Sequence, residues 1–156
     1  MSAQPSFHRG GAPVGHIAQL GPIEAGAVMY LRLWSEGPHA HAQMREDFTA
    51  TLGPERARLA DKSFVALCDM MSVHGRRPLM RHQVTCRCLG ADESWFAHFI
   101  GYASEGERED ALLISMMIVK PNVAPMLAGL AEDFGLALRS LVAHGRNDIN
   151  APRTVH

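Results

Sequence analysis

PERARLADKSFVALCDMMSVHG, residues 54–75, decides the fold class. Ala57, Ala60, Phe64, Leu67 and Met71 recur at helical spacing and make one continuous apolar stripe, the mark of a helix that buries one face. Pro54 suits the first turn, where a missing N–H costs nothing, and His74 with Gly75 closes the last.

The same reasoning extends in both directions. Upstream, Met44, Phe48 and Leu52 lie four apart in a more polar helix over 38–52, and Gly53 supplies a left-handed stop. Before it, Ala27, Leu31 and Trp34 share a helical face within Ile23–Trp34; read as a strand, that segment leaves no polar side. Gly37 and Pro38 separate the two. Downstream, Asp92 is placed to cap a helix carrying Trp95, Phe96, Phe99, Ile100 and Ala103. The acidic run Glu105, Glu107, Glu109 and Asp110 precedes an apolar helix over 111–119, where carboxylates favour the positive end of the helix dipole. Lys120 and Pro121 close it. Its apolar side chains cover most of its circumference, so it should be buried within the chain or by a partner subunit. In the last helix Leu127, Leu130, Ala131, Phe134, Leu138 and Leu141 form one face, and Gly145 ends it.

The expectation is an all-α, single-domain bundle of five to six amphipathic helices over residues 23–145, completed by oligomerisation if helix 111–119 cannot be covered within one chain. Residues 1–22, rich in glycine and proline, read as a flexible N-terminal arm, and 146–156 as a tail.

Composition narrows the function classes. Fifteen Lys+Arg against 16 Asp+Glu give a net charge of -1, so no global field favours nucleic acid or a membrane surface. The longest apolar stretch is far shorter than the roughly 20 residues of a spanning helix. Three cysteines, Cys68, Cys86 and Cys88, make a poor disulfide framework and point to a reducing compartment, with the cytoplasm as the expected location. The first 21 residues contain no uninterrupted apolar run of the secretory kind.

Polar chemistry concentrates in HGRRPLMRHQVTCRC, residues 74–88. With Pro78 at a first turn and Gly90 as a stop, residues 78–89 read as a helix in preference to a strand, in which Val84, Cys86 and Cys88 would point one way and Thr85 and Arg87 the other. Arg76, Arg77 and Arg81 then crowd a helix N-terminus that is already positive, an arrangement that calls for a bound anion: a small anionic ligand, an acidic protein partner or the internal acidic run at 105–110. On the same helix His82 and Cys86, at i and i+4, reach one ion; zinc accepts both donors, with Cys88, His74 and His98 as further candidates. His39 and His41 form an H-x-H for which surface or capping roles are expected.

No phosphate loop, H-E-x-x-H, C-x-x-C-H or G-x-S-x-G motif occurs. Whether the chain is an enzyme is therefore left open by its sequence. The reading that remains is a non-catalytic binding, regulatory or assembly protein, a homo-oligomer with an anion-binding arginine turn, needing no cofactor; the alternative is a zinc-binding protein or metalloenzyme built on His82 and Cys86.

Overall fold

The computed structural model describes residues 9–150, with side chains through residue 145. Six helices follow one another: α1 (Pro22–Glu36), α2 (Pro38–Leu52), α3 (Pro54–His74), α4 (Ala91–Glu105), α5 (Arg108–Ile118) and α6 (Ala124–Asn150). The all-α bundle expected from the apolar stripes is what the chain forms. Two short strands, β1 (Pro13–His16) and β2 (Cys88–Gly90), pair antiparallel with Gly15 opposite Leu89 and His16 opposite Cys88. No helix among the described residues is long and apolar enough to cross a membrane.

The α1/α2 and α2/α3 corners share one device. Gly37 and Gly53 each precede the proline that opens the next helix, and each has positive φ (108° and 82°) with extended ψ. A residue before proline is driven out of the α region, and this backbone region is open in effect only to glycine. Gly53 thus breaks the chain where expected, but not in the left-handed helical conformation.

The stripes read from the sequence are the core. Ala57, Ala60, Phe64, Leu67 and Met71 of α3 are buried, as are Leu127, Ala131, Phe134 and Leu138 of α6. Helix α6 contacts all five others and is the axis of the bundle. Phe134 lies 4.7 Å, centroid to centroid, from Phe64 and 6.2 Å from Phe48, which in turn meets Tyr30 at 5.4 Å. Such tilted and offset aromatic contacts join α1, α2, α3 and α6 through one apolar seam.

Three boundaries differ from expectation. Residues 9–20, read as part of a loose arm, form two 3-10 turns and β1; Ile17 and Leu20 pack on Val28, Leu89 and Ala97. The reason is tertiary: β1 has a partner strand, and Gly10 sits so close to Asp92 that a Cβ would collide with its carboxylate. Residues 1–8 of the arm lie outside the described residues. Helix α6 continues through Gly145 to Asn150. An interior glycine costs only about 1 kcal/mol against alanine, and no left-handed turn intervenes to stop the helix. Residues 151–156 of the expected tail lie outside the described residues. Finally, α4 is capped by Gly90, with Asp92 two residues on, at the second position of the helix. Helix α5 buries only Ala111, Ser115 and Ile118 fully, and leaves Leu113 and Met117 in solvent.

Close approach of α4 and α6 is set by Gly135, where an added Cβ would stand 3.0 Å from Ser104 Cβ and 3.1 Å from the Ile100 carbonyl oxygen. Gly129, on the same helix, faces open space. Gly135→Leu should therefore destabilise the fold by about 1–3 kcal/mol through overpacking. Gly129→Ala should stabilise it by about 0.5–1 kcal/mol through helix propensity. Urea unfolding of the two variants checks both signs.

Candidate functional site

Helix α1 carries Arg32 within the apolar run Met29–Trp34, fully buried. Its partner, Glu93, is the third residue of α4 and is equally buried, with Arg32 Nε 2.6 Å from Glu93 Oε2. Every guanidinium N–H finds an acceptor. Nε and Nη2 hold the carboxylate in a two-point fork; Nη1 donates to the carbonyls of Gln83 (3.0 Å) and Cys86 (2.7 Å), and Nη2 to that of Cys88 (2.8 Å). Glu93 also accepts the backbone N–H groups of Gly90 (3.0 Å) and His82 (3.3 Å). The five donors of an arginine and the four lone-pair sites of a carboxylate are all used, so this node is closed to any ligand. Burial alone would raise the Glu93 carboxyl; the hydrogen bond and charge of Arg32, with the two N–H groups, outweigh it and hold the carboxyl below its ordinary value.

That node corrects the expectation of a helix over 78–89. Residues 76–87 are an irregular loop with a turn at Val84–Thr85, followed by β2. A helix would need the carbonyls of Gln83 and Cys86 for its own i+4 amides; Arg32 takes them. The N–H groups of Met80 and His82 go instead to Asp92 and Glu93. The helix that starts here is α4, and its first turn supplies both anions.

The three arginines are thereby separated. Arg77 grips the buried Asp92 in a fork, both N···O distances 2.6 Å. Arg76 donates to the Met116 carbonyl (3.1 Å) near the C-terminal end of α5, where a cation is favoured. The acidic run at 105–110 serves neither; within it Arg108 pairs with Glu132 of α6. Arg81, exposed, has no hydrogen bond or ion pair among the described residues. It stands at a cleft of about 150 Å³ walled by Leu31, Trp34, Cys68, Met71 and Leu79, between α1, α3 and the loop. Burial pushes the Cys68 thiol up, with Arg81 pulling it down and Asp69 adding to the rise. The thiol is consequently inert at neutral pH.

The candidate metal ligands do not assemble. His82 Nε2 lies 3.0 Å from the Gly11 carbonyl oxygen, and its Nδ1 is 3.9 Å from Cys86 Sγ across a turn rather than along a helix face. His98, exposed on α4, is bonded through Nδ1 to the Ser94 carbonyl (2.7 Å); His74 ends α3, and Cys88 lies on β2. Among the described residues no three His, Cys, Asp or Glu side chains form a group suited to a metal ion. His41, expected at the surface, is buried. Its Nε2 is 2.7 Å from Asp61 Oδ1, although the two groups are not aligned for a hydrogen bond, and its ring meets Trp34 edge-on at 5.0 Å. Trp34 thus touches the His41 ring and also lines the Arg81 cleft.

Sequence reasoning missed Arg32, Glu93, Asp61 and the role of Asp92. One signal was available: an arginine with apolar neighbours on both sides, in a helix otherwise reading as core. No protein-family model, curated protein or solved structure matches the chain.

Removing one member of a fully desolvated pair strands the other. Arg32→Met should cost about 3–5 kcal/mol in urea unfolding. Arg32→Lys should recover only part of this, because an ammonium has three donors for five acceptor contacts. A cost below about 1 kcal/mol for Arg32→Met would show that the node is not structural.

The Glu93 carboxyl titrates lower in the folded chain than in the unfolded one, so its contribution is present above about pH 4.3 and is lost as pH falls through the folded value. Unfolding free energy should decline with acid below that pH, and Glu93→Gln, with no proton to take up, should flatten the decline. Coincident acid slopes for the two proteins would contradict this assignment.

Proposed function

We propose that this chain acts by binding rather than by catalysis, as a self-associating cytoplasmic protein whose Arg81 cleft takes a small apolar molecule bearing a carboxylate or phosphate. The observation that carries the reading is the division of labour among the three arginines. Two are committed to protein acceptors, and the third is unpaired at the mouth of a small cleft of mixed character, with Leu31, Met71, Leu79 and the Trp34 indole beside Ser72. An arginine fork beside an aromatic face suits a planar anion, and one charge-assisted hydrogen bond contributes about 1.5–3 kcal/mol. A cleft of 150 Å³ holds the equivalent of about five waters, which sets the ligand at the size of a small organic acid. Three free thiols support a reducing compartment. His82 and Cys86 offer two donors where a zinc site needs at least three from protein, so the metal reading has no comparable support.

Benzoate, its uncharged analogue benzamide and inorganic phosphate serve as probes, read by Trp34 fluorescence in a Trp95→Phe background and by thermal shift. Benzoate should quench and stabilise, with benzamide weaker by roughly tenfold or more, the equivalent of one charged hydrogen bond. Arg81→Gln should abolish the difference, while Arg45→Gln, on α2, should leave it intact. Equal responses to benzoate and benzamide, or an unchanged benzoate response in Arg81→Gln, would sink the proposal.

A further inference from the structure

Helix α5 presents two unlike faces. Ala111, Ser115 and Ile118 face inward, while Glu109, Leu113 and Met117, at i, i+4 and i+8, form an outward stripe with Asp110 beside it. Leu113 is 58% and Met117 54% exposed, an unusual state for adjacent large side chains on one helix. The stripe is therefore acidic in its first turn and apolar beyond it.

A second surface has the opposite character. Between α3 and α6 runs a groove of about 760 Å³, bounded by residues 56–66 of α3 and 130–143 of α6, with Leu52 at the end of α2 closing one end. The walls are antiparallel, with Arg56 Nη2 donating to Ser140 Oγ at 2.9 Å. Leu59 and Leu136, 49% and 48% exposed, stand in it. Arg56, Lys62 and Arg139 on its rim outnumber Asp133. At 1.5 Å per residue the two walls are about 16 and 21 Å long, and α5, at eleven residues, is about 16 Å.

We infer that α5 of a second copy seats in the α3/α6 groove, with its Leu113 and Met117 meeting Leu59 and Leu136, and its Glu109 and Asp110 facing Arg56, Lys62 and Arg139. Length, apolarity and charge all match, and charge complementarity of this kind selects one register and orientation. The two patches are different parts of the chain, so the contact is heterologous, and copies add head to tail into a ring or an open chain. The inference rests on the self-association proposed above and assigns its surfaces.

Mixing two blocked variants tests it. Leu59→Glu closes the groove and keeps the α5 stripe; Leu113→Glu spoils the stripe and keeps the groove. The native protein should exceed 17.1 kDa in light scattering in a concentration-dependent way, less so in high salt. Each variant alone should associate at least tenfold more weakly, whereas an equimolar mixture should give a two-chain complex and nothing larger. Both positions are about half exposed or more; circular dichroism checks that each variant folds, and Leu→Ser at the same positions repeats the test if either does not. A native protein that is monomeric at every concentration overturns both the self-association and this assignment. A native oligomer unaffected by either variant overturns the assignment alone. So does a mixture that stays monomeric, because the intact stripe of one variant and the intact groove of the other then fail to bind.

Discussion

The buried fork of Arg32 on Glu93 is the constraint from which the polar half of the molecule follows. Taking two charges out of water costs several kcal/mol per ion, and their attraction offsets this only where the remaining donors and acceptors are also satisfied. Here they are: three loop carbonyls complete the guanidinium and two loop-side amides complete the carboxylate. A loop that met only some of these demands would leave the node less stable than an apolar core. The residues from His82 to Gly90 are consequently fixed in one irregular path by a helix that precedes them by some fifty positions.

What surrounds the node inherits its geometry. Fixing Cys88 beneath Arg32 places β2 beside β1, which folds residues 13–16 onto the bundle and brings the Gly11 carbonyl to His82. Setting Glu93 at the third position of α4 puts Asp92 at the second, within reach of Arg77 and the Met80 amide. Of the segment's arginines, Arg77 is neutralised by the start of the following helix, while Arg76 goes to the Met116 carbonyl of α5. Arg81 extends past these acceptors, toward the side where α1 and α3 leave room.

The apolar stripes were legible because they are local. Five residues of α3 and four of α6 lie where a period of 3.6 puts them, and burial of one face needs no knowledge of what covers it. The loop was illegible for the complementary reason. Pro78 and Gly90 are true helix signals of about 1 kcal/mol each, but the competing acceptors come from Glu93 and the competing donors from Arg32, neither of which a window over 78–89 contains. Residues 9–20 were misread likewise, since a strand of four residues has no meaning without its partner. His41 marks a third limit: its position in H-x-H carries no hint of Asp61 or Trp34, which reach it from α3 and α1.

The same distinction explains why α5 looked buried on all sides and is not. Periodicity reports that a helix has apolar side chains around its circumference; it cannot say how many faces the rest of the chain has the means to cover. Helix α6 is already in contact with every other helix, and α4 and α6 cover the inner side of α5, so among the described residues nothing covers the outer stripe. Burying Leu113 and Met117 would each contribute roughly 1.5–3 kcal/mol that the single chain forgoes. Meanwhile α3 and α6, which meet at Phe64 and Phe134, leave Leu59 and Leu136 uncovered in the groove between them. Among the described residues one apolar ridge and one apolar groove, edged with opposite charge, thus stay uncovered.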